Sequence, residues 1–109
     1  MRVIIGAPGS GKTLELIKMS AAEGCRIVCD TLQRAEKIQA QAEEMGYDIP
    51  QPVSFTTFLS HPTSPLWIKG FLLDDADQLL QRLVNRPIAA ITISDTNNIE
   101  HIGSEEEER

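Results

Sequence analysis

The 109-residue chain has little of what marks disulfide-rich, membrane-spanning or nucleic-acid-binding proteins. It contains two cysteines, too few for a disulfide framework, and no apolar run near the ~18 residues that a membrane span requires. Basic residues are also scarce, ten against sixteen acidic ones, and four of those acids stand in the last five positions. The body of the chain therefore offers no general basic field that would attract nucleic acid.

The two cysteines, Cys25 and Cys29, fall in one predicted strand, roughly 13 Å apart at ~3.3 Å per residue, which excludes a bridge between them. We expect two small, buried side chains in a reducing compartment. The first apolar stretch, residues 3–5, is shorter than the core of a signal peptide. These features together predict a cytoplasmic protein with no membrane association.

The remaining composition, 41% hydrophobic and 24% charged, is typical of one small globular domain. Short apolar runs alternate with amphipathic stretches, and turn residues separate them. The predicted strands are residues 3–5, 26–29, 52–55, 70–74 and 89–93. Because these runs are continuously apolar, both faces of a parallel sheet should be buried. The pattern predicts an α/β domain with a mostly parallel five-stranded sheet, which collects ligands at the carboxyl ends of its strands.

A change in composition near the end of the sequence suggests a domain boundary. The chain turns polar beyond Asn97, and residues 105–108 are four consecutive glutamates. We predict that the domain covers residues 1–98 and that residues 99–109 form an acidic, disordered tail. The tail is interpreted as a solubilising extension, and mimicry of nucleic acid toward a basic partner is the alternative.

The most specific motif lies between the first predicted strand and the first helix, where residues 6–13 match the Walker A pattern G-x-x-x-x-G-K-T. Its glycines let the backbone approach phosphate oxygens, and its successive amides form a nest at a helix N-terminus. Lys12 supplies a point charge to the β- and γ-phosphates, and the Thr13 hydroxyl can coordinate Mg²⁺. The predicted nucleotide contacts are Gly6, Ala7, Pro8, Gly9, Ser10, Gly11, Lys12 and Thr13.

A Walker A loop needs an acidic site for the metal, and the fourth predicted strand ends in two aspartates, Asp74 and Asp75. We predict that Asp74 holds Mg²⁺ directly or through water. Asp75 would orient or deprotonate the attacking water, so Asp75 and Lys12 are the predicted catalytic residues. An apolar run followed by acids also suits a strand end and a helix cap, and for Asp75 that alternative stays open.

With the Walker A loop, the acidic stretch 74–77 and the strand end 93–95, the chain resembles the first RecA-like domain of helicases and related P-loop ATPases. The stretch Asp-Asp-Ala-Asp is similar to a D-E-A-D box with aspartate for glutamate. Residues 53–59 and 28–30 resemble two less specific helicase segments, and small phage-encoded P-loop proteins share this layout. The resemblance spans residues 1–96 and implies a three-layer P-loop domain, located in the host cytoplasm if a phage encodes it.

This resemblance implies Mg²⁺ and ATP as ligands, with GTP less favoured, and Ser94 as a sensor of the γ-phosphate. The alternative for Ser94 is a hydroxyl that satisfies a strand end. The family's catalytic glutamate is Asp75 here, one methylene shorter, which predicts slow hydrolysis. Helicases add an arginine from a second lobe, worth ~10³–10⁵ in rate in the hydrolases studied. We expect a partner or a second copy to supply it; Arg82 and Arg86 are candidates, with solvated helix charges as the alternative.

Three functions remain open on the sequence. The first is Mg²⁺-dependent binding and slow hydrolysis of a nucleoside triphosphate, serving DNA metabolism with a protein partner. The second is a non-catalytic, nucleotide-binding module that docks on a motor or helicase. The third is a small kinase, which is less favoured because the loop at residues 60–69 is short for a lid and carries a single cation, Lys69. Direct nucleic-acid binding is not decided, because the chain has no basic stripe.

Overall fold

The computed structural model describes residues 1–67, 69–94 and 99–103, in which strands and helices alternate. The strands are β1 (Val3–Ile5), β2 (Arg26–Cys29), β3 (Val53–Ser54), β4 (Phe71–Leu73) and β5 (Ile99–His101). The helices are α1 (Lys12–Glu23), α2 (Leu32–Glu44), α3 (Phe55–Ser60) and α4 (Ala76–Val84), with a 3₁₀ turn at Pro65–Trp67. The α/β class predicted from the sequence is confirmed. No helix in these ranges is long and apolar enough to cross a membrane.

The strands form two small parallel sheets rather than the single five-stranded sheet that the sequence predicts. In the larger sheet β2 lies between β3 and β4, and Val28 stands opposite both Val53 and Leu73. In the smaller sheet β1 pairs with β5, and Val3 stands opposite Ile99. The carboxyl ends of β1 and β4, where the sequence places the site, therefore belong to different sheets.

The predicted strand at residues 89–93 is wrong, because this segment forms no strand and β1 pairs with Ile99–His101 instead. The apolar side chains of the segment are exposed, Ile91 by 56%. Apolar, β-branched composition favours a strand but does not by itself produce one, because strand formation also depends on packing against neighbouring elements. The predicted tail thus begins with a strand, while its glutamates lie outside the described residues.

The core lies between the first two helices and the central strand. Ile17 of α1, Ile27 of β2 and Ile38 of α2 are fully buried and belong to one cluster. Burying each such side chain contributes about 1.5–3 kcal/mol, so this three-way contact fixes α1 and α2 against the sheet. The Thr31 hydroxyl caps α2 by accepting the backbone N–H of Arg34 at 3.1 Å. This cap holds the first turn of α2 at the carboxyl end of β2.

An aromatic cluster anchors the loop that precedes β4. The Phe58 ring centroid lies 5.0 Å from that of Trp67 and 4.5 Å from that of Phe71. Trp67 is buried, and its indole N–H donates to the carbonyl of His61 at 2.6 Å. Phe58 and Trp67 are therefore packing anchors, and they hold the loop against the start of β4.

Both cysteines are free and buried, in agreement with the prediction from their spacing. Burial raises the pKa of the Cys29 thiol to about 11, and the negative charges of Asp74 and Asp30 act in the same direction. The Cys29 side chain therefore stays neutral at physiological pH and leaves Asp74 as the buried anion in this part of the molecule.

Candidate nucleotide site

The Walker A residues form a tight turn between β1 and α1, as predicted. Gly11 is the N-cap of α1 and has φ +98°, a left-handed conformation that side chains other than glycine rarely adopt. The first backbone bond of the helix runs from Glu15 N–H to the Gly11 carbonyl at 3.1 Å. The amides of residues 12–14 consequently have no acceptor within the helix. Together with the helix dipole they can hold an anion.

The start of this loop is closed on one side by the residues that follow β5. A Cβ atom at Gly6 would lie 2.9 Å from the Ile102 carbonyl and would also meet the Ser10 hydroxyl, so only glycine fits. The Ser10 Oγ is buried and has no hydrogen-bond partner among the described residues. A buried polar atom without a partner costs about 1–3 kcal/mol, which a bound oxygen or N–H could offset.

Lys12 lies across the same loop. Its ammonium donates to the carbonyls of Gly6 at 2.8 Å and Ala7 at 3.0 Å. The Ala7 carbonyl also accepts the backbone N–H of Ser10 at 3.1 Å, which closes the turn. Both carbonyls are neutral acceptors, so the ammonium gains Coulomb attraction when negatively charged phosphate oxygens replace them. Lys12 is therefore held at the loop by contacts that an anion can replace.

Thr13 and Asp74, the two predicted metal ligands, are brought together although they are far apart in sequence. The Thr13 hydroxyl donates to Asp74 Oδ1 at 3.1 Å. Asp74 directly follows β4, and its backbone N–H donates to the Val28 carbonyl of β2 at 2.9 Å. The parallel β2–β4 ladder thereby aims this carboxylate at the first turn of α1.

The Asp74 carboxylate is nearly inaccessible to solvent, with 3% of the residue exposed. Burial raises its pKa above the ordinary value, and the neighbouring charge of Asp75 raises it further. The positive charge of Arg34 and the hydrogen bonds from Thr13 and Arg34 act in the opposite direction. A buried carboxylate that is costly to ionise is the kind of group that a bound cation stabilises.

Arg34 completes this cluster, and the sequence analysis missed it. Its Nη2 atom donates to Thr13 Oγ1 at 2.8 Å and lies 3.3 Å from Asp74 Oδ2. In the sequence Arg34 is one polar position of an amphipathic helix, and no motif marks it. Because Thr31 caps α2, Arg34 lies three residues later in the first turn of that helix, next to the carboxyl end of β2. This spacing is the signal that could have placed Arg34 at the edge of the sheet.

Asp75 lies one residue beyond the cluster, is exposed and occupies the N-cap position of α4. Its backbone has φ +54° and ψ +59°, a left-handed conformation that costs on the order of 1–3 kcal/mol. Its carbonyl accepts the N–H of Gln78 at 2.9 Å, but its side chain makes no capping bond. Asp75 therefore caps α4 through its backbone only, and its carboxylate is not used by the helix.

The other candidate residues lie apart from this cluster. Ser94 is exposed in the segment after residues 89–93 and makes no hydrogen bond to the loop or to Asp74 within the described ranges. Arg82 is exposed on α4 and Arg86 is exposed just beyond that helix. Asp95, the last residue of the proposed sensor motif, lies outside the described residues.

The donor set that is present fits Mg²⁺ in one specific way. The part of the chain that the structure describes contains no group of three or more His, Cys, Asp or Glu side chains able to hold a metal. Mg²⁺ at nucleotide sites uses one or two carboxylates together with substrate phosphates and waters, so it does not need such a group. One hydroxyl and one carboxylate, Thr13 and Asp74, match that requirement, and the guanidinium of Arg34 contacts both.

Comparison of the chain with protein-family models, curated proteins and solved structures gives no match. The function therefore has to be argued from the geometry of this site.

Proposed function

We propose that the chain binds a Mg²⁺-bound nucleoside triphosphate, ATP foremost, in the loop at residues 6–13 and hydrolyses it slowly. The observation that carries this proposal is the hydrogen bond of 3.1 Å between the Thr13 hydroxyl and the Asp74 carboxylate. A hydroxyl at the first turn of a helix and a buried carboxylate at a strand end are the two protein ligands that P-loop proteins give to Mg²⁺. The contact lies beside the glycine loop at residues 6–13, whose amides can bind phosphate, and the two features together support a site for Mg²⁺ and nucleotide.

The roles of the residues follow from their positions. The amides of residues 12–14 and the buried Ser10 hydroxyl bind phosphate oxygens. Lys12 exchanges the carbonyls of Gly6 and Ala7 for the β- and γ-phosphates. Thr13 and Asp74 would hold Mg²⁺, which would neutralise negative charge on the phosphates. Asp75, whose carboxylate is exposed and is not used by α4, orients or deprotonates the attacking water. The role of Ser94 as a sensor of the γ-phosphate rests on the resemblance alone.

Slow turnover is part of the proposal. Aspartate at position 75 is one methylene shorter than the glutamate of the helicase-like domains that the chain resembles, and a displaced base loses rate steeply. The transition-state arginine comes from a partner or a second copy. Exposed apolar side chains on α4, Leu83 by 60% and Val84 by 52%, give such a partner a surface to bind. Service in DNA metabolism rests on the resemblance.

The proposal is tested by calorimetric titration of the purified protein with ATP and with GTP in the presence of Mg²⁺. Replacing Lys12 with alanine removes the charge over the loop, and we expect affinity to fall by about 10- to 100-fold. The matched control is Lys18→Ala, which removes an exposed cation from the same helix and should leave affinity unchanged. No measurable affinity for either nucleotide in the wild type, or equal affinity in Lys12→Ala, overturns the proposal.

A second candidate is a non-catalytic module that binds nucleotide and docks on a motor or helicase. The exposed apolar surface of α4 favours it, because Leu80, Leu83 and Val84 lie where a partner could cover them. Turnover measurements on the wild type and on Asp75→Asn distinguish the two functions. If nucleotide binds but is not hydrolysed, and Asp75→Asn changes nothing, the non-catalytic function replaces the enzymatic one.

A further inference from the structure

The place between Thr13 and Asp74 that suits a divalent cation is already taken by a side chain. Arg34 Nη2 lies 2.8 Å from Thr13 Oγ1 and 3.3 Å from Asp74 Oδ2. These are the two oxygen-bearing side chains to which the proposed function assigns the metal. One nitrogen of the guanidinium thus contacts both proposed ligands at once.

The charge balance explains why Arg34 lies there. The side chain of Asp74 is 2% exposed, and a carboxylate buried without a partner is strongly destabilising. Arg34 provides the partner, while its own side chain is 38% exposed and can return to solvent. The pairing therefore protects the carboxylate without trapping the guanidinium.

We propose that Arg34 is an internal cation that lies at the proposed metal position and competes with the divalent ion. Metal alone must displace a tethered, charge-assisted contact, so it binds weakly. When nucleotide is present, its phosphates give the displaced guanidinium a new anionic partner, so metal and nucleotide enter together. The nucleotide half of this inference rests on the proposed function, whereas the competition with metal does not.

The anchoring of Arg34 makes such an exchange local. The Arg34 backbone N–H is fixed by the Thr31 hydroxyl, and α2 is held by the buried Ile38. The backbone therefore stays in place while the flexible side chain turns about its own bonds. Thr13 lies on the first turn of α1, so a guanidinium that leaves Asp74 is still within reach of the phosphate loop.

The test measures Mn²⁺ binding without nucleotide, by electron paramagnetic resonance of the free ion. The variants are Arg34→Gln, which removes the competitor, and Lys37→Gln, which removes an exposed cation from the same helix as a control. We expect Arg34→Gln to bind Mn²⁺ more tightly than the wild type by roughly 5- to 150-fold, the usual range of coupling between two ligands. Lys37→Gln should bind like the wild type.

Equal Mn²⁺ affinity in the wild type and folded Arg34→Gln overturns the inference. Arg34→Gln leaves Asp74 without its partner and can lose its fold when metal-free; the inference then requires Mn²⁺ to restore the helical circular dichroism. Failure of Mn²⁺ to do so overturns it too. Arg34→Lys keeps a positive charge, with a single ammonium in place of the forked guanidinium. Its Mn²⁺ affinity should lie between those of the wild type and Arg34→Gln.

A parallel titration with ATP separates this inference from the proposed function. If the wild type binds no nucleotide while Arg34→Gln gains Mn²⁺ affinity, the function fails and the competition stands. If the wild type binds Mg²⁺–ATP normally while Mn²⁺ affinity is the same in all variants, the function stands and the inference fails. Nucleotide should raise the Mn²⁺ affinity of the wild type more than that of Arg34→Gln, because the variant has no competitor left to displace.

Discussion

Strand β2 and residues 89–93 have similar sequences and opposite environments. Ile27 and Val28 of β2 are fully buried between two neighbouring strands, whereas Ile91 is 56% exposed and its segment pairs with no described strand. Both runs are short, apolar and β-branched. The difference lies in their neighbours, since α1 and α2 cover β2 while residues 89–93 follow α4 at the margin of the molecule. Apolar composition makes a segment able to join a sheet, and packing against neighbouring elements decides whether it does.

The two regions also divide the proposed function between them. The β2 region positions the site, because the Asp74 backbone bonds to Val28 and Arg34 stands at the start of α2. The region from α4 to residue 93 carries exposed apolar side chains and no member of the Thr13–Asp74–Arg34 cluster. The first region therefore suits ligand binding, which needs fixed geometry, and the second suits contact with a partner.

The largest expected effect is on the buried side of this comparison. Replacing Ile27 with alanine empties space in a closed core, and we expect a loss of about 2–5 kcal/mol in the free energy of unfolding. Urea denaturation followed by circular dichroism measures it. A loss below about 1 kcal/mol would mean that β2 packs less tightly than its burial implies.

A smaller effect, which depends on pH, is expected at the site. Burial raises the pKa of Asp74 in the folded protein, so its contribution to stability is complete below pH 3.8 and is lost as the pH rises through the higher, folded-state value. Asp74→Asn has no carboxylate to ionise, so its melting temperature, measured in EDTA, should rise relative to that of the wild type across this window.

The control for this measurement is Asp48→Asn, which removes an exposed carboxylate and should follow the wild type. A shift in the opposite direction, with the wild type gaining as the pH rises, would mean that the charge of Arg34 outweighs the burial of Asp74. In that case the ion pair between Arg34 and Asp74 would contribute more to the stability of the β2 region than the burial of Asp74 costs.

The smallest effect is expected at residues 89–93. Ile91→Ala removes an exposed side chain, so the free energy of unfolding should change by no more than about 0.5 kcal/mol. The same urea titration measures it beside Ile27→Ala, with the same residue types exchanged in both variants. A loss as large as that of Ile27→Ala would show that this segment is packed in solution, and the contrast between the two regions would disappear.

Local signals predicted the elements around the candidate site. The glycine loop ends at Gly11, where α1 begins, and the threonine of that loop meets the aspartate after β4. The start of α1 depends on local backbone conformation, which residue type reveals. The contact between Thr13 and Asp74 instead brings together the elements that follow β1 and β4, which belong to different sheets. The nucleotide, Mg²⁺ and the catalytic role of Asp75 remain predictions.

The features that sequence reasoning missed depend on distant partners. The sequence predicts a strand at residues 89–93, whereas Ile99–His101 forms the strand that pairs with β1. Arg34 reaches Asp74 from a different helix, and its position follows from the packing of α2, not from any motif. Both outcomes are set by three-dimensional neighbours that no spacing rule along the chain encodes.

The wall that residues 102–103 form beside the phosphate loop has a consequence for synthesis of the protein. The Ile102 N–H donates to the Ile5 carbonyl at 2.8 Å, and Gly103 lies against Ser10. Because α1, β2 and α2 are synthesised before these residues, the nascent chain can pack the core between these three elements first. One side of the glycine loop stays exposed until residue 103 has been synthesised. The proposed ligand site is therefore completed late in folding.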